Sequence, residues 1–321
     1  MPSRTFRLAT IRDIDVRMAP SWLLVAIVIV IGYQRSFADG QRSVATAVGM
    51  AVAVAVLFTL SVLLHEVAHA LEARHRDVEV GGITLFLLGG ATALRDPDRR
   101  AADEFAIAGV GPWSNIVLAA VFGLLAVYTG TWGLTPVADV LGLLGWLNLG
   151  LAAFNLIPGA PLDGGRVLRA GIWAVTGSRH RSTVIAAWLG IALGLGLLGW
   201  ALWLVGFRNA VWAGVWVGVI GAYIVRAARG ELARGRLALW LTEFTAADIA
   251  PPVDLPDEAH GDLPVVAADA SGDTLVGLLD RDQPFVTITG EDGSWTSSLH
   301  AIDDRIRALR GAGVPDAPVP T

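Results

Sequence analysis

The chain contains a run of 21 uncharged residues, Val44–Leu64, in which almost every side chain is apolar. A helix of this length rises about 30 Å, which is the thickness of the hydrocarbon core of a bilayer. Backbone polar groups inside a bilayer must bond to one another, so such a run is expected to be helical. Further apolar runs follow, and 54% of the 321 residues are hydrophobic. The sequence therefore predicts an all-α polytopic membrane protein.

Loop-forming Gly and Pro residues divide the apolar part of the chain into segments. We predict about six transmembrane helices. They lie at about Pro20–Gln34, Val44–Ala70, Glu104–Tyr128, Leu134–Leu156, Thr183–Gly206 and Asn209–Val225.

Arginine is the only basic residue type in the chain, and its distribution predicts the orientation of the spans. The N-terminal arm and the segments after spans two, four and six carry 17 arginines, whereas the opposite side carries three, Arg35, Arg42 and Arg208. Cytoplasmic loops are enriched in arginine. We therefore predict a multi-pass protein of the cell membrane with both termini in the cytoplasm.

The composition changes after about Leu241, where long apolar runs stop and Asp, Pro and Gly become frequent. This change predicts a transmembrane domain at residues 1–240 and a small cytosolic α/β segment at 241–321. Asp262–Asp280 faintly resembles the strand-turn-strand core of a CBS domain, with Ser271–Asp273 as the turn. Because CBS units bind nucleotides as pairs, a single unit implies either pairing across a homodimer or a plain folded appendage. The tail Gly311–Thr321 is predicted to be disordered.

Two histidines and a glutamate directly follow the long apolar run, in the sequence LLHEVAHALE (Leu63–Glu72). His65 and His69 are four residues apart, which places both imidazoles on one face of a helix, where they can bind one metal ion. Glu66 lies about 100° around the helix from His65, so it can reach a coordinated water without being a ligand. Zinc suits two imidazoles and a carboxylate, with one position open for a water whose proton Glu66 can accept.

A third ligand is offered by Asp163, in the sequence NLIPGAPLDGGRVLRA (Asn155–Ala170). The two prolines before it stop any helix at that point. Gly164 and Gly165 permit a tight turn behind it and a close approach of the backbone. Spans two and four end on the same side by the arginine distribution, so Asp163 is expected at the same membrane depth as the two histidines.

These motifs resemble the site-2 protease family of intramembrane zinc metalloproteases, also known as peptidase M50-like. The resemblance is carried by HEVAH (His65–His69) and NLIPGAPLDGGR (Asn155–Arg166). GGITLFLLGGATAL (Gly81–Leu94) and EFAIAGVGPWSNIVLA (Glu104–Ala119) also resemble segments of that family. The likeness covers about residues 5–230 in the same order, and the chain is most similar to the compact six-span group with a C-terminal cytosolic appendage.

The resemblance implies both a site and an activity. It implies one Zn²⁺ ion per chain, bound by His65, His69 and Asp163, with Glu66 as the catalytic base. It implies an intramembrane endopeptidase that hydrolyses a peptide bond in the transmembrane segment of another membrane protein, such as an anti-sigma factor or a similar regulator. The expected partners are this substrate and the lipid bilayer, and no nucleic acid is expected.

Two further segments are candidates for contact with a substrate. Val78–Leu94, with its Gly pairs and its Thr, Ile and Phe residues, predicts a strand or hairpin. Its edge could bind an extended substrate by strand addition, or it could be a re-entrant hairpin that only packs between helices. By family resemblance, Asn115 is a candidate catalytic residue near the substrate backbone or the oxyanion. The alternative for Asn115 is an interhelical hydrogen bond, and Asn155 has the same two alternatives.

Two other functions compete with the protease. A metal transporter could use the same ligands, but transporters tend to carry ionisable groups on several spans, and Glu66 would then have no clear role. A catalytically idle membrane scaffold is the second alternative, and the complete set of ligands argues against it.

Arg166 is predicted either to anchor the positive-inside face or to pair with a nearby carboxylate. The histidines without ligand spacing are predicted to be exposed. They are His75, His180, His260 and His300.

Overall fold

The computed structural model describes residues 5–38, 42–86, 89–95, 100–252, 264–275, 285–290 and 293–311. Most of these residues are helical, and short strands form two small sheets. The predicted fold class is confirmed: helices dominate, a β-hairpin interrupts them, and a small α/β segment follows.

Seven helices form the membrane part of the described chain. They are α1 (Trp22–Phe37), α2 (Val44–His75), α3 (Ala101–Thr131), α4 (Thr135–Asn155), α5 (Asp163–Thr176), α6 (Arg179–Arg208) and α7 (Val211–Leu241).

Five of these helices in the described residues, namely α2, α3, α4, α6 and α7, are long and apolar enough to cross a membrane. Helix α1 is also apolar but has only 16 residues. Such a helix rises about 24 Å, whereas the hydrocarbon core measures about 30 Å. The chain is thus a multi-pass membrane protein, and the sixth span and the orientation of the termini stay predictions.

Helix α2 is longer than the span predicted for it. The hydroxyl of Ser43 caps its first turn by accepting a hydrogen bond from the Thr46 amide at 3.1 Å. The helix ends after His75, where Asp77 adopts a left-handed conformation with φ of 58°. The histidine motif therefore lies inside a continuous helix, two turns before its end.

A four-stranded sheet lies beside α2. Its strands are β1 (Phe6–Ile11), β2 (Ile14–Met18), β3 (Glu79–Phe86) and β4 (Gly89–Arg95), in the order β1-β2-β3-β4. Strands β2 and β3 are parallel, and the other two pairings are antiparallel. The hairpin predicted within Val78–Leu94 is confirmed as β3–β4, and the described residues place β4 at the edge of the sheet.

Apolar side chains hold this sheet against α2. Val16 and Ile83, both almost completely buried, pack in one cluster with Ala70 of α2. Leu85 packs in a second cluster with Val62. These clusters lie on either side of the histidine motif along α2, so the sheet is fixed directly beside the candidate site.

Helix α7 continues far beyond the predicted end of its span at Val225. Its last turns carry the buried Leu237 and Leu241, which are four residues apart and lie on one face of the helix. Leu237 and Leu241 belong to the same hydrophobic core as the C-terminal elements. These elements are α8 (Ala246–Ile249), β5 (Val265–Ala267), a 3-10 helix (Gly272–Leu275), β6 (Phe285–Gly290), β7 (Gly293–Ser298) and α9 (Leu299–Gly311).

The CBS-like interpretation of Asp262–Asp280 is only partly covered by the described residues. Strand β5 lies within it, and the predicted turn leads into the 3-10 helix. Residues 262–263, 276–280 and 312–321 lie outside the described residues, and with them the predicted second strand and the tail. The division at residues 240 and 241 also stays a prediction.

Candidate metal centre

The two histidines of the motif face each other inside the protein. His65 and His69 lie one turn apart on α2 and are 4% and 3% exposed. Their Nε2 atoms are 3.1 Å apart. The i, i+4 spacing therefore brings two imidazole nitrogens to one point, as the sequence predicted.

Asp163 completes the cluster from the start of α5. Its Oδ2 atom lies 3.1 Å from Nε2 of His65 and 3.2 Å from Nε2 of His69. A carboxylate oxygen thus faces the two imidazole nitrogens, and all three groups are donors of the kinds that zinc binds.

The tight turn predicted behind Asp163 is wrong, because residues 163–165 form the first turn of α5. The glycines serve close packing instead. A Cβ atom on Gly164 would lie 2.3 Å from the carbonyl oxygen of Leu156, and one on Gly165 would lie 2.4 Å from the carbonyl carbon of Gly159. The predicted close approach of the backbone is thus present, and it fixes the helix that carries Asp163.

The three facing atoms form a nearly equilateral triangle with sides of 3.1 to 3.2 Å. The centre of such a triangle lies about 1.8 Å from each atom, so an ion slightly out of the plane reaches the bond lengths of about 2.0–2.2 Å that zinc makes with nitrogen and oxygen. In the described residues, these three side chains form the one group able to hold a metal ion. The donor set and its spacing therefore fit Zn²⁺.

The other ring nitrogens of both histidines contact protein groups. Nδ1 of His69 lies 2.5 Å from the carbonyl oxygen of Ile107, to which it donates. Nδ1 of His65 lies 3.0 Å from the side-chain amide of Asn115. With protons on Nδ1, both Nε2 atoms keep their lone pairs for a metal. The atom of Asn115 placed on His65 Nδ1 is the amide nitrogen, and the amide oxygen has no hydrogen-bond partner in the described residues. Turning the amide over, an assignment that follows the hydrogen bonds, puts the oxygen on Nδ1 and leaves the Nε2 lone pair for the metal.

One face of α3 supports the whole cluster. Glu104, Ile107, Gly111 and Asn115 follow one another at three- or four-residue spacing, so they lie on the same side of the helix. A Cβ atom on Gly111 would lie 2.2 Å from Nε2 of His69. Only glycine lets α3 approach this closely.

Glu66 lies beside the three-ligand group without belonging to it. It is 6% exposed, and its Oε2 accepts a hydrogen bond of 2.8 Å from the Thr92 hydroxyl on β4. Gly90 of the same strand packs directly on Glu66, since a Cβ atom there would lie 2.3 Å from its Cγ. Strand β4 thus holds the carboxylate in place.

The remaining predicted residues have different outcomes. Arg166 contacts a carboxylate, as one alternative predicted, because its Nε lies 3.6 Å from Glu104 Oε1. Asn155 ends α4 and makes no side-chain hydrogen bond within the described residues. The prediction that His180 is exposed is wrong, because its ring is half-buried and Nε2 lies 2.5 Å from Asp273 Oδ2. His75 and His300 are exposed, and His260 lies outside the described residues.

Sequence reasoning missed the residues that hold the ligands. Thr92, Gly90 and the carbonyl of Ile107 contact Glu66 or His69, and the sequence offered them only as members of family-like segments, without a role at the metal centre. Glu104 was quoted only as part of a family-like segment, yet it is completely buried and accepts a hydrogen bond from Arg169. A charged residue inside an apolar helix was the signal available for Glu104.

The profile of Peptidase family M50 matches this chain over residues 53–136 and 129–198. The matched region contains His65, Glu66, His69, Asn115 and Asp163. The match supports assignment to peptidase family M50. This agrees with the resemblance of its motifs to site-2 proteases.

Relatives support the family assignment. A Synechocystis protein named as a zinc metalloprotease, sll0528, is 34% identical over 252 residues, which are 78% of this chain and 65% of that protein. A Mycobacterium tuberculosis protein named as a zinc metalloprotease, Rip3, is 42% identical over 185 residues, 56% of this chain and 46% of that protein. The site-2 protease structure from Methanocaldococcus jannaschii is 25% identical, with a TM-score of 0.49, over 71% of this chain and 95% of that one. This chain thus spans less than two thirds of the two named relatives.

Proposed function

We propose that this protein is an intramembrane zinc endopeptidase of the M50 family that hydrolyses a peptide bond in the transmembrane segment of a membrane protein. One observation carries the proposal: His65, His69 and Asp163 converge at 3.1 to 3.2 Å beside a buried glutamate. A scaffold would have no use for a buried carboxylate beside a metal site, since such a group is costly inside a membrane protein.

The metal and the chain have separate roles in this proposal. One Zn²⁺ ion, held by His65, His69 and Asp163, supplies the Lewis acidity that polarises the scissile carbonyl and acidifies water. Glu66 is the general base that takes the proton from the attacking water. The Thr92 hydroxyl, 2.8 Å from Glu66 Oε2, keeps that carboxylate in position. Asn115 and the Ile107 carbonyl orient the two imidazoles.

Strand β4 is the surface that presents the substrate. A peptide bond in an intact helix is shielded by the helical hydrogen bonds, so the substrate must be extended where it is cut. β4 lies at the edge of the described sheet, and Gly90 and Thr92 of this strand contact Glu66. A substrate segment that pairs with this edge as another strand bonds its backbone N–H and C=O groups to β4. It then runs past Glu66 and the three ligands.

From the arginine distribution we infer that both termini and the metal centre lie at the cytoplasmic side of the membrane, so the reaction takes place there. The substrate is a membrane-anchored regulator, such as an anti-sigma factor, whose cleavage releases a cytosolic part. Residues 241–321 form a cytosolic segment on the end of α7, and its CBS-like core pairs with a second copy if the protein is a homodimer. The transmembrane protease domain is residues 1–240.

The proposal is tested with purified protein in detergent and a panel of tagged transmembrane segments. Wild type is compared with Glu66→Gln, and bound zinc is quantified in both proteins. We expect wild type to cleave at least one segment, and Glu66→Gln to cleave none while it retains about one zinc per chain. The matched control is Glu72→Gln, on the same helix but outside the metal site, which should cleave like wild type.

The alternatives predict other results. A metal transporter would carry zinc into proteoliposomes without cleaving any segment. A scaffold would bind membrane partners equally well with Gln at position 66. A wild-type protein that holds no zinc would contradict the proposed ligand set.

A further inference from the structure

A cavity of about 500 Å³ opens beside the metal centre. Its walls come from β4, from the loop before α5, and from helices α5, α6 and α7. The polar residues that line it are Thr92, Arg166, Arg169, Thr183, Glu231 and Arg234. Three of these six side chains are guanidinium groups, so the wall of the cavity is rich in positive charge.

The carboxylates within reach do not balance these guanidinium groups. Glu104 accepts a hydrogen bond from Arg169, and Arg166 lies at 3.6 Å from the same oxygen. Glu231 lies 2.8 Å from Arg234 and 3.9 Å from Arg169. Three positive charges thus face two negative charges in the described residues, which leaves one positive charge in excess.

The contact geometry indicates where the excess charge lies. Within the described residues, Arg166 makes only the long contact of 3.6 Å to Glu104, and its side chain is 26% exposed. The Nε atom of Arg169 is buried and has no hydrogen-bond partner in the described residues. Unsatisfied donors of a cation are costly to bury, so the cavity favours a ligand that accepts hydrogen bonds and carries a negative charge.

The cavity adjoins the candidate active site through Thr92. Thr92 lines the cavity and also donates to Glu66. Arg166 follows Asp163 by three residues of α5, about 4.5 Å along the helix axis. An extended chain rises about 3.3 Å per residue, so a strand that passes Glu66 along β4 places a nearby residue at the cavity.

We propose that this cavity binds the carboxylate of an acidic side chain of the substrate, within about four residues of the scissile bond. The proposal rests on the proposed protease function and deepens it. Guanidinium groups suit a carboxylate because they offer parallel donors in one plane. The Thr92 and Thr183 hydroxyls add uncharged donors to the same walls.

The test compares pairs of substrates that differ only in whether one side chain is Glu or Gln. A cleavable transmembrane segment is made with Glu or with Gln at each position within four residues of the cut, and kcat/KM is measured for each pair. For wild type we expect one position at which the Glu substrate is cleaved about tenfold better. Arg166→Gln and Arg234→Gln should each reduce this ratio to less than about threefold. Arg229→Gln, an exposed arginine of α7 outside the cavity, should leave the ratio unchanged.

The ratio of kcat/KM for the Glu and Gln substrates distinguishes recognition of the carboxylate from a structural role of the arginines. Damage to the fold would lower kcat/KM for both substrates alike. Equal Glu66-dependent cleavage of both substrates at every position would overturn this proposal and leave the protease function intact. A ratio that survives both cavity substitutions would also overturn it. If instead activity on both substrates requires anionic lipid, and the cavity variants abolish that requirement, the cavity binds a lipid phosphate. Absence of any Glu66-dependent cleavage would contradict the protease function itself.

Discussion

The side-chain amide of Asn115 lies 3.0 Å from Nδ1 of His65, and both side chains are buried. Asn115 is completely inaccessible, so in this arrangement it contacts a ligand residue and not the space where a substrate would lie. A protein group that hydrogen-bonds the outer nitrogen of a metal-binding imidazole fixes the tautomer and the orientation of that ring. This contact favours a positioning role for Asn115 over the predicted contact with the oxyanion.

The primary effect of removing the Asn115 amide should therefore be weaker metal binding. We expect Asn115→Ala to lower zinc affinity by about 10- to 100-fold, measured by competition with a chelator of known affinity. Ser114→Ala, at the neighbouring half-buried position, should retain wild-type affinity. Unchanged zinc affinity with lost cleavage would instead support direct contact with the substrate.

Substitution of Gly111 tests whether metal binding needs the close approach of α3. We expect Gly111→Ala to abolish zinc binding, because the added methyl would lie 2.2 Å from His69 Nε2. Gly109→Ala is the matched control on the same helix, since a Cβ atom there meets nothing within 4 Å. The measurement is zinc content after purification. Normal zinc content in Gly111→Ala would show that α3 does not constrain the site.

Substitution of Thr92 tests whether its hydroxyl orients the Glu66 carboxylate. Thr92→Val keeps the shape of the side chain but removes the donor 2.8 Å from Glu66 Oε2. Hydrogen bonds to charged groups contribute about 1.5–3 kcal/mol, so kcat should fall by about tenfold or more with zinc content unchanged. Thr92→Ser, which keeps the hydroxyl, should recover most of the activity. Equal activity of the Val and Ser variants would contradict this role.

Substitution of Glu104 tests the ion pair that links α3 to α5. Its buried carboxylate pairs with Arg169 and lies near Arg166, so Glu104→Gln removes the nearest counter-charge of these two guanidinium groups. Loss of one partner of a buried pair costs about 3–5 kcal/mol. We expect a clearly lower midpoint of thermal unfolding in detergent, together with weaker zinc binding because α5 carries Asp163. Glu72→Gln removes a 24%-exposed partner of Arg76 and should change the midpoint little.

His180 and Asp273 connect α6 to the C-terminal segment through a half-buried contact. An ion pair with this exposure contributes about 1 kcal/mol or less. We expect His180→Ala to speed limited proteolysis of the C-terminal segment by about two- to fivefold. His300→Ala, whose ring is 85% exposed, should not change that rate. An unchanged rate in His180→Ala would show that other contacts hold the segment.

The sequence already indicated the parts of the fold that depend on local pattern. Apolar runs predicted the long helices, and the β3–β4 hairpin was predicted from its Gly pairs and strand-forming residues. The β1–β2 hairpin was missed because its turn is Arg12-Asp13, with φ of 47° and 63°. Asn-Gly or Asp-Gly is the usual signal for such a turn. Helix α5 was missed because two prolines precede it and two glycines open it.

The sequence by itself determined the membrane class of the protein and the candidate ligands. Helical periodicity alone places His65 and His69 on one face, and the arginine distribution placed Asp163 at their depth. Only the tertiary structure decided what orients them: the Ile107 carbonyl and the Asn115 amide behind the imidazoles, and Thr92 on Glu66. These contacts join residues 26 to 50 positions apart. A backbone carbonyl carries no sequence signal, and whether a given side chain meets it depends on how the helices pack.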